Sequence, residues 1–203
     1  MKKIIINDTR FDFPKLTQIL DVELLNENFL VENLKNKLQS QKFNPRETLF
    51  IYPGKSAWRI RNLGFSEEFS SVFVPAKRIW IPGENPIITV GELVGKMLFL
   101  GIKNVVVVDD VLSSGVTIST LFERNAWRFP EAQWHAYIPI TRKIKLPNYT
   151  NIIFEVFVPT DEHGRKPPIN SLSTLLEDET VLKNYLSRNF KIEIQKQIQY
   201  ALI

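Results

Sequence analysis

The chain has 203 residues, 44% hydrophobic and 24% charged, which suits one α/β domain with a sizeable core. It contains no cysteine, so disulfides, thiolate nucleophiles and cysteine-ligated metals are excluded. The formal charge of +4 suits an anionic ligand, and the 26 Lys+Arg form no dense basic block of the kind that binds nucleic acid. The opening MKKIIINDTRF has too short an apolar run for a signal peptide, and no stretch reaches transmembrane length, so no membrane partner and a cytoplasmic location are expected.

Periodicity and punctuation set out the elements. A strand is expected at residues 3–6. Residues 27–39 read as a helix with Phe29, Leu30, Leu34 and Leu38 on one face, broken by Asn44-Pro45. Residues 48–52 (TLFIY) read as a strand, and Pro53-Gly54-Lys55-Ser56 as a turn into a second helix. Residues 71–74 make another strand. Residues 76–86 read as irregular, with Pro82, Gly83 and Pro86 as breakers. Thr89 and Glu92 have capping-box spacing, which predicts a helix from there to about Leu100, ended by Gly101. Further strands are expected at residues 105–108, 133–140 and 152–158, a polar loop at 161–168 and a helix at 170–188. Strands alternate with helices from about residue 47 to 140, the pattern of an α/β fold with a mostly parallel sheet covered on both faces.

Residues 105–117, VVVVDDVLSSGVT, carry the most chemistry. Four consecutive valines suit a strand buried on both faces, and ligands of such sheets sit beyond the carboxyl ends of the strands. Asp109 and Asp110 follow at that end. Carboxylates only accept hydrogen bonds, so they suit sugar hydroxyls or waters on a magnesium ion. Ser113, Ser114, Gly115, Val116 and Thr117 then form a small polar turn into a helix whose start is at Thr117, followed by Ile118, Leu121 and Phe122. A helix start exposes backbone N–H groups and favours anions by roughly 0.3–1 kcal/mol per charge. Gly115 permits a positive φ or close approach of a phosphate. Hydroxyls and a phosphate are the ligand groups these residues fit.

The same thirteen residues resemble the phosphoribosyl-pyrophosphate (PRPP) motif of type I phosphoribosyltransferases: four hydrophobic residues, two acids, two variable positions, then small or hydroxyl residues with a glycine and a threonine. The resemblance implies a Rossmann-like sheet at about residues 45–160, with a small hood over the base formed by the N-terminal segment, the C-terminal segment or both, in a single domain of residues 1–203. It implies that PRPP and Mg²⁺ are used to transfer ribose 5-phosphate to a nitrogenous base, as in nucleotide salvage. A homodimer is expected. Asp109 and Asp110 would hold the ribose hydroxyls, and magnesium through water. Residues Ser113 to Thr117 would hold the 5-phosphate. By the same resemblance, Gly54, Lys55 and Ser56 would take the pyrophosphate, with Arg59 and Arg61 nearby and a strained non-proline cis peptide in the turn. Residues 76–86 would be the mobile catalytic loop, in which Lys77 and Arg78 compensate pyrophosphate charge and water is excluded.

Gly54-Lys55-Ser56 ends like a P-loop, but Leu49 stands where that loop needs a glycine. His135 and His163 have no metal-ligand spacing; His135 reads as structural and His163 as exposed. The tryptophans Trp58, Trp80, Trp127 and Trp134 read as core or interface, although one of them, or Phe157, could stack on a base. Ser113 occupies the slot where 6-oxopurine salvage enzymes carry an aspartate proposed to handle the base proton. Serine cannot do so near neutral pH, which disfavours hypoxanthine-guanine salvage. A non-catalytic PRPP- or nucleotide-binding regulator on the same fold is the alternative to an enzyme.

Overall fold

The computed structural model describes residues 3–7, 22–79, 87–95, 98–146, 148–159, 163–164 and 169–171. Contacts divide the chain into a unit of Met1–Leu30 with Pro159–Ile203 and a unit of Val31–Val158. In the first unit, β1 (Lys3–Asn7) lies parallel between β2 (Val22–Asn26) and the last strand, Ile169–Ser171. Residues 169–171 are thus strand, where a helix from residue 170 is expected; residues 172–188 of that helix lie outside the described residues. The polar loop expected at 161–168 is described only at His163 and Gly164, both exposed.

After α1 (Glu27–Ser40), the second unit is built on a parallel sheet. Its strands are β3 (Thr48–Pro53), β4 (Ser70–Val74), β7 (Asn104–Val108), β8 (Val111–Leu112), β9 (Gln133–Thr141) and β10 (Asn151–Phe157). The order is β10-β9-β7-β3-β4, with β8 alongside β9, and every pairing in it is parallel. α2 (Gly54–Asn62) and α3 (Val116–Asn125) follow β3 and β8. The expected α/β architecture is the one observed.

The pleat explains the valine run. Ile51, Val105, Val107, Ala136 and Ile138 pack on one face with Ile118 and Leu121 of α3. Phe50, Tyr52, Val106, Val108 and Tyr137 pack on the other with Val31, Leu34 and Leu38 of α1 and Ala57 and Ile60 of α2. All four valines are fully buried, and each contributes about 1.5–3 kcal/mol by leaving water.

Three expectations need correction. Phe29 is 64% exposed, and Val31 takes its place on the buried face of α1. Residues 76–79 are not irregular: β5 (Ala76–Ile79) pairs antiparallel with β6 (Ile87–Val90), while residues 80–86 lie outside the described ones. The helix from Thr89 is absent among the described residues. Thr89 is in β6, where its hydroxyl donates to the Lys77 carbonyl (3.3 Å). The amides of Gly91, Leu93 and Phe99 donate instead to Pro75 O (2.7 Å), Asn125 Oδ1 (3.1 Å) and Arg128 O (2.7 Å). With those donors committed elsewhere, no helical ladder forms.

Candidate functional site

The strand order changes direction between β3 and β7. Chain order moves outward from β3 to β4, then returns to β7 on the other side of β3. Open α/β sheets bind ligands in the crevice beyond the carboxyl ends of strands at such a switch point. Ile51 lies opposite Val107, so continuing the register by two places sets Pro53 level with Asp109. The turns after β3 and β7 are therefore side by side.

After β3, Gly54 turns the chain with φ 81° and starts α2. A Cβ there would meet Ala76 O at 3.2 Å, so the root of the β5–β6 hairpin lies against this turn. No cis peptide occurs among the described residues; the left-handed glycine makes the bend. Pro53 supplies no side-chain cap, and the first turn of α2 has no acidic residue. Lys55 is exposed and Ser56 half-buried. Arg61 stacks 4.9 Å over the Trp58 ring. Lys77 is exposed on β5; Arg78 follows it in the strand, and its side chain lies outside the described residues.

After β7, each carboxylate folds back on its own turn. Asp109 Oδ1 accepts from the amide of Asp110, and Asp110 Oδ1 from that of Val111, both at 2.9 Å. Asp109 is buried at 8% exposure, on the α3 side. Burial of the Tyr149 hydroxyl, and after it the nearby Asp109 charge, pushes that hydroxyl's pKa well above the ordinary value. Asp110 is half-buried. Ser113, Ser114 and Gly115 lead into α3, with Gly115 at φ 83° as N-cap and no side-chain cap. Ser114 Oγ lies 3.4 Å from the amide of Val116, and Ser119 donates to Gly115 O at 2.9 Å. The first turn of α3 also lacks an acidic residue. Thr117 is half-buried and Val116 exposed.

Two helix N-termini, neither capped by the side chain of its N-cap residue, thus flank two carboxylates at adjacent strand ends, with only a long bond from the Val116 amide to Ser114 Oγ at the second. Uncapped N–H groups attract anions, and the dipole adds to that attraction. Among the described residues no group of three His, Asp or Glu could hold a metal ion. His135 is buried against Phe43 at the opposite end of β9, and burial lowers its pKa. Trp134 is in the core on the α3 face, Trp58 packs against the core on the opposite face, Trp127 is 53% exposed and Trp80 lies outside the described residues. Phe157 is 46% exposed at the end of β10.

One further residue enters the site. Arg142 immediately follows β9, its amide donating to Leu112 O at 2.9 Å and its Nη1 to Ser113 Oγ at 2.7 Å. Its side chain is half-buried, and that burial lowers its pKa. Its only local signal was an arginine just beyond a long apolar strand; the contact with Ser113 spans 29 residues.

No family model and no curated protein matches the chain. Solved structures do. A Helicobacter pylori xanthine-guanine-hypoxanthine phosphoribosyltransferase matches with TM-score 0.50 and 16% identity, over 78% of this chain and 92% of that one. A hypothetical protein from Neisseria gonorrhoeae with bound ppGpp gives 0.52 and 14%, over 90% and 96%. A Staphylococcus aureus hypoxanthine phosphoribosyltransferase gives 0.51 and 14%, over 68% and 77%. At these identities the likeness concerns fold, and it agrees with the switch point and the motif after β7: the chain has the type I phosphoribosyltransferase fold.

Proposed function

We propose that the protein binds PRPP with magnesium and transfers its ribose 5-phosphate to a nitrogenous base, releasing pyrophosphate. The observation that carries this reading is the pair of uncapped helix starts, on α2 and α3, on either side of Asp109 and Asp110. PRPP has that charge pattern: anions at both ends of a sugar with free hydroxyls. A ligand with one phosphate would use one helix start and leave the other without an anion.

In this reading the backbone of Gly115, Val116 and Thr117, with the hydroxyls of Ser113, Ser114 and Thr117, holds the 5-phosphate. Asp109 and Asp110 hold the ribose hydroxyls. Gly54, Lys55 and Ser56 hold the pyrophosphate, and Lys77 on the hairpin adds positive charge beside it. The two carboxylates are too few for an all-protein cage, which fits a magnesium ion held mainly by substrate oxygens and water. When bound, that ion neutralises the departing pyrophosphate. The protein's own contribution is positioning and fixed charge rather than a covalent intermediate. A role in cytoplasmic nucleotide salvage follows from the same proposal.

A regulatory reading has one specific support. The N. gonorrhoeae structure, which spans 90% of this chain, holds ppGpp, a nucleotide with phosphates at two ends. Pyrophosphate release with Mg-PRPP and a panel of purines and pyrimidines separates the two readings. Release with at least one base, abolished in Lys55→Ala, is expected for the enzyme. Tight PRPP binding with no release for any base would replace the enzyme by the regulator.

A further inference from the structure

The β5–β6 hairpin pairs with no other strand among the described residues. Two strands alone are marginally stable in water, so the aim of such a hairpin depends on what holds its root. Here the root closes on itself. The Gly91 amide donates to Pro75 O at 2.7 Å, and a Cβ at Gly91 would meet Pro75 Cδ and Pro75 O at 3.2 Å. On one side, Ala76 O lies against Gly54 at the start of α2. On the other stand two consecutive residues of α3, Arg124 and Asn125.

Antiparallel pairs alternate between hydrogen-bonded and non-hydrogen-bonded. Gly91 and Pro75 share a hydrogen bond, so the next pair, Val90 with Ala76, is of the other kind. The Val90 carbonyl therefore points out of the hairpin, away from β5. Arg124 Nη1 donates to it. Asn125 Oδ1 accepts from Leu93 N at 3.1 Å, which holds the chain that leaves β6. The side chains of Val90 and Leu93 are both buried. Lys77 is opposite Thr89, whose hydroxyl donates to the Lys77 carbonyl at 3.3 Å, so the place of Lys77 follows that of β6. Resting on the phosphoribosyltransferase reading, we infer that Arg124 is a positioning residue for the pyrophosphate end of the site. By tying the outer edge of β6 to α3, it sets where Lys77 stands beside the Gly54 turn. It also joins that cation to the helix whose start takes the 5-phosphate.

Separate titrations of the full chain with Mg-pyrophosphate and with ribose 5-phosphate test this. Arg124→Met should weaken Mg-pyrophosphate by about 3- to 10-fold, the size of coupling expected between groups that act together, and leave ribose 5-phosphate unchanged. Unchanged ribose 5-phosphate affinity also shows that the variant folds. Arg124→Lys should recover part of the loss. Lys77→Met should itself weaken Mg-pyrophosphate, and adding Arg124→Met to it should cost less than about 2-fold more, because the residue being positioned is gone. An unaltered Mg-pyrophosphate affinity in Arg124→Met, or in Lys77→Met, overturns the inference. So does an equal loss from Arg124→Met in both backgrounds, which would mean that its charge acts at a distance. A parallel loss of ribose 5-phosphate binding would make the role of Arg124 merely structural. If wild type binds neither ligand, the phosphoribosyltransferase reading fails first and the inference falls with it.

Discussion

A methyl group at Gly115 would lie 2.5 Å from Leu146 Cδ2, and the backbone there has φ 83°. Gly115→Ala therefore meets two costs: ~1–2 kcal/mol for a left-handed alanine, and ~1–3 kcal/mol for displacing a buried leucine. Urea denaturation should show a loss of about 2–5 kcal/mol, the sum of those terms. Gly101→Ala, also at positive φ but with nothing within 4 Å, should show only the first. Equal losses would mean that Leu146 yields freely.

His135 gives a pH signature. Burial lowers its folded-state pKa below the usual 6.5, so the folded protein resists the proton that the unfolded chain accepts. Stability should be insensitive to this group above about pH 6.5 and fall as the pH drops below it. Thermal melts of wild type and His135→Phe, which keeps a ring against Phe43, should diverge in slope between pH 7 and 5. Parallel slopes would show that the imidazole is not protected from protonation.

At the scale of elements, strands buried on both faces were legible because a run of valines has few other fates. The hairpin of residues 76–79 with 87–90, and the non-helical chain that stands where a helix is predicted after Thr89, were not legible. Capping-box spacing is a local signal, while the bonds that win are non-local: Lys77 with Thr89, and Asn125 with Leu93. The pairings of β1 with β2 and with residues 169–171 were invisible for the same reason, since they join segments far apart in sequence. Asn125 shows how such bonds hold an irregular segment. It is fully buried, its Oδ1 accepts from Leu93 N at 3.1 Å, and its Nδ2 donates to Leu121 O at 2.8 Å. Asn125→Ala leaves a buried amide without its acceptor, at ~1–3 kcal/mol. Hydrogen exchange should show a faster Leu93 amide in that variant, whereas unchanged protection would mean another acceptor replaces Asn125.

For the molecule as a whole, the phosphoribosyltransferase fold could be expected from thirteen residues because strand, acid pair, turn and helix start are contiguous there. The other half of the candidate site needed the sheet order. Gly54-Lys55-Ser56 is an ordinary turn until β3 is seen beside β7, and Arg142 has no meaning until β9 brings it to Ser113. The central claim is that these adjacent turns bind a sugar with an anion at each end. Calorimetric titration of the full chain with Mg-PRPP tests it most directly. Saturable one-to-one binding by wild type is predicted, weakened at least about 10-fold when Asp109→Asn and Asp110→Asn are combined, since both carboxylates would lose charged hydrogen bonds to the ribose. No binding by wild type, or equal affinity in the double variant, would contradict it.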